Sequence, residues 1–278
     1  MDLAYWGFSH WPFQRQQAID RFYRGESHDE ALARLLFVID ERRRCGVLIG
    51  PAGTGKTRLL RRAASYARRL GQWCIEVNAT GSQGDELAWQ VGEEMQIDRS
   101  VNASATHLWS QIRQELINHA MVGQDVAVVI DDINFADTGS TQVLRRLISL
   151  GESADANLTL IVSSRNPIRS SDLWNDVELV GELSGWSLEE TSRFVKESLA
   201  IAGAQAEIFT ADALLLVQDL SQGIPSEVVR ICELAMLAAL NDDRHDVDSD
   251  LITSAITELA PRYSSLAERI RLAVKQAG

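Results

Sequence analysis

Gly50-Pro51-Ala52-Gly53-Thr54-Gly55-Lys56-Thr57 reads G-x-x-x-x-G-K-[ST], the spacing of a phosphate-binding loop. Its glycines let the chain curl so that successive backbone N–H groups point inward at phosphate oxygens. Lys56 is placed for the β- and γ-phosphates, and the Thr57 hydroxyl for Mg²⁺. The pattern carries weight only between a strand and a helix. Val47-Leu48-Ile49 supplies the apolar run before it. After it, Leu59, Leu60, Ala63, Ala64, Ala67 and Leu70 recur at i, i+3/i+4 spacing. Strand, glycine loop and helix predict a nucleoside triphosphate site built from residues 50–57, with Arg58 on the first turn of the helix.

Strands and helices alternate around that loop. A helix at 29–43 precedes it, with Ala31, Leu32, Leu35, Leu36 and Ile39 as its apolar stripe. A first strand at 47–50 and the loop's helix, to about Leu70, are followed by a strand at 73–77 and helices at 86–95 and 105–121. Then come a strand at 126–130, a helix at 140–150, a strand at 158–162 and a short fifth strand at 177–180. This alternation predicts a parallel sheet sandwiched by helices, with nucleotide at the carboxyl edge of the strands.

From Ser187 the strand pattern stops. Ser187-Leu188-Glu189-Glu190 is a capping box opening a helix that closes near Gly203. Thr210 caps a second helix, to about Leu220, and Pro225 takes the first turn of a third. Asp248 or Asp250 caps a fourth, ended by Pro261, and 262–277 reads as one more. Three parts are expected: an aromatic segment and helix over 1–44, an α/β nucleotide-binding domain over 45–182, and a small all-α lid domain over 183–278.

Val126-Ala127-Val128-Val129-Ile130-Asp131-Asp132 is an apolar strand ending in two carboxylates, the Walker B arrangement. Asp131 is expected to hold Mg²⁺ with Thr57, directly or through water. Asp132 stands where many ATPases of this architecture have Glu to orient and deprotonate the attacking water. Asp carries the same charge on a side chain one methylene shorter. A displacement of about 1 Å can cost on the order of a hundredfold in rate, so Asp132 is expected to act as a slow base. A helix cap or turn at the strand end is the alternative for this pair.

Of the 278 residues, 45% are hydrophobic and 24% charged, ordinary values for a globular chain. No stretch approaches the roughly eighteen apolar residues of a membrane span. Met1-Asp2-Leu3-Ala4-Tyr5 lacks the basic start of a signal peptide, so a cytoplasmic protein is expected. Cys45, Cys74 and Cys232 are scattered beside apolar runs and read as core thiols of a reducing compartment. Net charge is −12, from 39 acidic and 27 basic side chains, which disfavours a nucleic-acid partner. Arginines do gather at 42–44, 58, 61, 62, 68 and 69. They read as a solvated helix face, with a nucleic-acid patch as the alternative.

Together these features resemble an AAA+ ATPase. More narrowly, the chain resembles the ATPase domain of the general secretion pathway protein A (ExeA-like) family over roughly residues 4 to 260. The resemblance rests on Tyr5-Trp6-Gly7-Phe8 with Pro12-Phe13, on Ser27-His28-Asp29-Glu30-Ala31-Leu32-Ala33-Arg34-Leu35-Leu36, and on the loop and Asp131-Asp132. It continues through Leu183-Ser184 with Ser187-Leu188-Glu189-Glu190-Thr191, and Gly223-Ile224-Pro225 with Ile231-Cys232-Glu233-Leu234-Ala235.

The resemblance implies ATP and Mg²⁺ as ligands. It also implies ATP binding or slow hydrolysis coupled to assembly with a secretion- or pilus-related protein partner, and an ATP-dependent homo-oligomer. It puts a polar group of the fourth strand's tip near the γ-phosphate, for which Ser164 is the candidate and Asn166 the second. An arginine finger acting on a neighbouring subunit would come from before the fifth strand, where Arg165 and Arg169 stand. Pro225 and Arg230 would bring the lid to the phosphates, or else Arg230 is simply solvated. Phe13 would pack near adenine, or else Trp6, Phe8 and Phe13 tuck into the core beneath the sheet.

Three departures touch hydrolysis or sensing, and none the phosphate cradle. Asp131-Asp132-Ile133-Asn134 replaces the family's Asp-Glu-Ala-Gln, Ser226 replaces the Arg after Gly-Ile-Pro, and Trp174-Asn175-Asp176 stands where an Arg is usual. Full-length members commonly add a membrane span and a peptidoglycan-binding module. Neither is expected after Gly278, so any envelope role is expected to run through a partner. The competing readings are a DNA-associated AAA+ ATPase, like the transposition regulators, and a nucleotide-binding scaffold with little hydrolysis.

Overall fold

The structure, a computed structural model, describes residues 3–13, 25–97, 104–135, 137–167 and 171–259. A short helix, α1 (Leu3–Trp6), comes first. An α/β stretch follows with α2 (Glu26–Asp40), β1 (Cys45–Ile49), α3 (Lys56–Arg69), β2 (Trp73–Asn78), α4 (Asp85–Glu94) and α5 (Ala105–Met121). It continues through β3 (Val126–Asp131), α6 (Thr138–Ser153), β4 (Leu158–Ser164), α7 (Ser171–Trp174) and β5 (Leu179–Glu182). Four helices complete the described residues: α8 (Leu188–Ala202), α9 (Ala211–Ser221), α10 (Pro225–Asn241) and α11 (Ser249–Leu259). Pro261 and the helix expected at 262–277 lie outside the described residues.

Contacts divide the chain into two compact units, Glu26–Leu183 and Met1–Gly25 with Ser184–Gly278. The division assigns α2 to the α/β unit and the N-terminal aromatic segment to the helical one.

In the α/β unit five strands pair in the order β2-β3-β4-β1-β5, every pairing parallel. Period-two alternation sorts their side chains. Ala127, Val129, Ile161 and Leu48 face α2 and α3, whose Leu35, Ile39, Leu59 and Ala63 complete one core. Val126, Val128, Ile130, Leu160 and Val162 face the other way, onto Leu87, Leu108, Ile112, Leu144 and Leu147 of α4, α5 and α6. Both faces being covered, these strands are continuous apolar runs rather than alternating ones. The strand order sets the site. β4 lies between β1 and β3, so the phosphate loop after β1 and the carboxylates ending β3 flank the β4 tip.

The helical unit is built on caps. Ser187 accepts from Glu190 N–H while the Glu190 carboxylate accepts from Ser187 N–H, the reciprocal capping box of α8. Thr210 caps α9 through Ala213 N–H, and Pro225 occupies the first turn of α10. Asp248, rather than Asp250, caps α11: its carboxylate accepts from Leu251 N–H at 2.9 Å. The N-terminal aromatics correct the sequence expectation. Trp6, Phe8, Trp11 and Phe13 are buried with Val195, Leu199, Val228 and Ile252 in the helical unit's own core, not beneath the sheet. Ser9 N–H bonds Ala202 O at 2.8 Å, and the Tyr5 ring stacks on His245 at 4.4 Å. Phe13, 3% exposed, lies 6.0 Å from the Phe194 ring, closed in by that core rather than presented to a base.

Candidate nucleotide site

The loop's shape follows from its glycines. Gly55, at φ 100°, caps α3, and Gly53 has φ 84°, conformations that L side chains rarely adopt. A side chain at Gly50 would bring its Cβ to 2.7 Å from Leu183 O. The helix therefore starts with bare N–H groups and no side-chain cap, the arrangement that receives an anion. Thr54 Oγ1 donates to Pro51 O at 2.9 Å. His28, buried at the start of α2, donates from Nε2 to Thr54 O at 2.7 Å and ties the loop to the helix in front of it.

Lys56 is buried, and its Nζ donates to Gly50 O at 2.7 Å and Pro51 O at 2.9 Å. Burial holds its pKa below the usual lysine value, against the pull of Asp132 and Asp131. Thr57 Oγ1 donates to Asp131 Oδ2 at 2.6 Å, joining the loop to the end of β3. Ser163 Oγ donates to the other oxygen, Asp131 Oδ1, and accepts from Asp132 N–H at 2.9 Å. The β3–β4 register pairs Ile130 with Val162, so Ser163 follows opposite Asp131. Arg58 is half-buried, and burial with the neighbouring charge of Arg61 lowers its pKa.

Asp132 takes a left-handed backbone at φ 57°. Its carboxylate is engaged on both oxygens: Arg165 Nε donates to Oδ1 at 2.9 Å and Nη2 to Oδ2 at 2.6 Å. Thr80, just past β2, lies 3.2 Å from Oδ2 through its hydroxyl. The hydrogen bond and charge of Asp132 raise the Arg165 pKa. Ser164 is buried; its Oγ accepts from Asn166 N–H at 3.2 Å, and its carbonyl from Gly50 N–H at 3.2 Å.

Lys56, Thr57, Asp131, Asp132, Ser164 and the loop residues thus converge on one edge of the sheet. Pro225 and Arg230 lie on α10, in the other unit, the first buried and the second half-buried. Arg169 is outside the described residues. Ser163, Thr80 and His28 are additions that sequence reading passed over. Ser163 was hidden by parity, because only the register says which of two adjacent serines faces the carboxylates. His28 lay within a stretch matched for its resemblance, with no local sign of a role.

Four of the eight clustered arginines form intramolecular pairs: Arg42 with Asp125 at 2.9 Å, Arg43 with Glu178 at 3.2 Å, Arg44 with Glu152 at 3.0 Å, and Arg68 with Glu76 at 2.6 Å. The cysteines are free; burial raises the Cys45 thiol to about 12 and Cys74 to about 11, and Cys232 is also raised. Among the described residues no helix is long and apolar enough to cross a membrane.

A parallel sheet with a glycine loop after a central strand, a lysine–threonine pair on the following helix and carboxylates two strands away is the nucleotide-binding architecture of the P-loop NTPases. The sequence pattern of the AAA domain family matches residues 29–168, half of the chain, and the chain belongs to that family. It is similar to the General secretion pathway protein A of Aeromonas hydrophila, at 25% identity over 267 residues, 94% of this chain and 49% of that protein. The chain thus spans about half the length of that relative.

Among solved structures, Cdc6p from Pyrobaculum aerophilum superposes with a TM-score of 0.68 at 16% identity, over 89% of this chain and 70% of that one. The Aeropyrum pernix ORC2 protein gives 0.63 at 16%, over 90% and 72%. The Thermotoga maritima RuvB Holliday junction branch migration motor gives 0.59 at 16%, over 89% and 73%. At such identities the likeness is one of fold.

Proposed function

We propose that this chain is a Mg-ATP-binding AAA+ ATPase whose nucleotide state, renewed by slow hydrolysis, governs assembly with a protein partner of the secretion or pilus class. The observation that carries the reading is the run of contacts from the loop through Thr57 to Asp131 and Ser163. It sets a hydroxyl and a carboxylate side by side at the end of the loop.

The residues present fit the ligand. The first turn of α3 has no side-chain cap on its N–H groups, and Lys56 carries a desolvated charge on carbonyl oxygens that a phosphate would replace. Among the described residues no group of three or more His, Cys, Asp or Glu is arranged to hold a metal ion by itself. Thr57 and Asp131 suit Mg²⁺, which takes its remaining ligands from phosphate and water and offsets phosphate charge. Asp132 would accept a proton from the attacking water as that oxygen bonds the γ-phosphorus. The bridging P–O bond breaks with its electron pair leaving on the diphosphate. Slow turnover is supported by the short Asp132 side chain and by Arg165 and Thr80 already holding its carboxylate. Ser164 or Asn166 would meet the γ-phosphate, with Pro225 and Arg230 as the lid's contribution and Arg169 as a finger acting between subunits of an ATP-dependent oligomer.

The partner class rests on similarity to a protein whose name assigns it to general secretion. A cytoplasmic location, with membrane association through that partner, follows from the same reading. Net charge of −12 and carboxylate-paired arginines weigh against duplex DNA. Phosphate release under saturating Mg-ATP, compared between wild type and Lys56→Ala, tests the enzyme. A slow rate that Lys56→Ala abolishes is expected; equal rates would remove the ATPase assignment. ATP-dependent, salt-sensitive retention of duplex DNA on a filter would replace the protein partner with a nucleic acid.

A further inference from the structure

We propose that His28 is a positioning residue of the phosphate loop: from the first turn of α2 its ring holds the Thr54 carbonyl and so aims the Gly55 N–H at the phosphates. The inference rests on the nucleotide site proposed above and names the residue that preforms it.

The geometry starts at a peptide plane. A trans peptide unit carries its C=O and its N–H on opposite sides, and no cis bond occurs among the described residues. Whatever holds Thr54 O therefore also sets where the Gly55 N–H points. His28 Nε2 lies 2.7 Å from that oxygen. A carbonyl only accepts, so Nε2 carries the hydrogen and the ring is the donor. The Gly55 amide is thereby turned away from His28, at the uncapped start of α3 where an anion is received.

This peptide needs an anchor. Thr54 stands between Gly53 at φ 84° and Gly55 at φ 100°, and glycine populates either sign of φ at little cost. The Thr54 hydroxyl donates to Pro51 O at 2.9 Å, which fixes the side chain but not the plane of the peptide that follows. Lys56 binds Gly50 O and Pro51 O, at the other end of the loop. Of these contacts, the His28 bond alone acts on the Thr54–Gly55 plane.

The anchor is itself held firmly. His28, Ala31, Leu32 and Leu35 follow i, i+3, i+4 and i+7 along the buried stripe of α2. Ala31, Leu32 and Leu35 share a core with Leu59, Leu60 and Ala63 of α3, so one packed body carries both the ring and the helix start that it serves. Thr54 is wholly buried. Loss of the donor leaves its carbonyl unpaired, which the loop relieves by turning the peptide over, and the Gly55 N–H then leaves the cradle.

Calorimetric titration of ADP and of a slowly hydrolysed ATP analogue, each with Mg²⁺, into wild type, His28→Leu, His28→Gln and His28→Asn tests this. The loop amides serve phosphates that both nucleotides share. His28→Leu is therefore expected to weaken both about tenfold, by the same factor. The terminal amide of Gln can reach where Nε2 stands, and His28→Gln is expected to restore affinity to near that of wild type. Asn ends short of the carbonyl and is expected to behave as Leu; the Gln–Asn pair decides the matter should His28→Leu fail to fold. Urea unfolding without nucleotide runs beside the titrations. A residue serving only the core would lower stability in the variants and leave the affinities of the folded proteins alone. That result, equal losses for Gln and Asn, or a loss confined to one nucleotide would overturn the proposal. Failure of wild type to bind either nucleotide would instead sink the function on which it rests.

Discussion

Lys56 is a buried ammonium held by two carbonyls, and Asp131 a carboxylate held by two hydroxyls. Each is satisfied by a partner that a nucleotide or cation would displace. Ser163 is the residue on which this order turns, since one buried hydroxyl serves both Asp131 and the Asp132 backbone. Ser163→Ala is expected to cost about 1–3 kcal/mol, because it strands a partly buried N–H and removes a bond to a charged group. Urea denaturation checks it, and an unchanged midpoint would show that Ser163 orders nothing. At this scale the phosphate loop and both aspartates were legible, because their chemistry is carried by contiguous residues. Ser163 against Ser164 was not, being a question of strand register. Arg165 stood out in sequence as a cation near the fifth strand, but nothing local revealed a carboxylate 33 residues away as its partner.

The helices of the second unit owe their limits to short-range signals, which is why sequence located them well. Ser187 and Glu190 exchange the two bonds of a capping box, and Ser187→Ala is expected to lower stability by about 1 kcal/mol, measured as a shift in thermal midpoint. No shift would mean that the cap is redundant with packing. The Gly of Gly-Ile-Pro has a structural reason: Gly223 has φ 68°, and a Cβ there would lie 2.0 Å from Trp186 O. Gly223→Ala is therefore expected to destabilise far more than Ser187→Ala, in both strain and forced backbone movement. Comparable losses in the two variants would contradict that placement. Strand limits shifted by a residue or two, and β4 runs on to Ser164. The four-residue helices α1 and α7 escaped notice, since one turn is too short to show a period.

Over the whole molecule, the α/β sheet was legible from alternation of element types, while the destination of the N-terminal aromatics was not. Trp6, Phe8, Trp11 and Phe13 join a core whose other members begin at Trp186, and a contact across that much chain leaves no local pattern. Acid behaviour belongs to this scale as well. Hydrogen bonds from Ser249 and then Thr210 lower the Asp212 carboxyl from 3.8 to about 2. That contribution is fully present above the unfolded value and disappears as pH falls from 3.8 through about 2. Asp212→Asn is expected to lower stability at neutral pH and to flatten this acid limb, read by urea unfolding at neutral pH and at about pH 3. An equal loss at both would assign Asp212 no ionic part.

Titration calorimetry of Mg-ATP into wild-type protein and into Lys56→Ala puts the phosphate loop itself to the test. One saturable site in wild type, weakened on the order of a hundredfold or more without the ammonium, is the outcome expected. A folded wild-type protein that takes up no nucleotide, or a Lys56→Ala protein that binds as tightly as wild type, would contradict the account at its root.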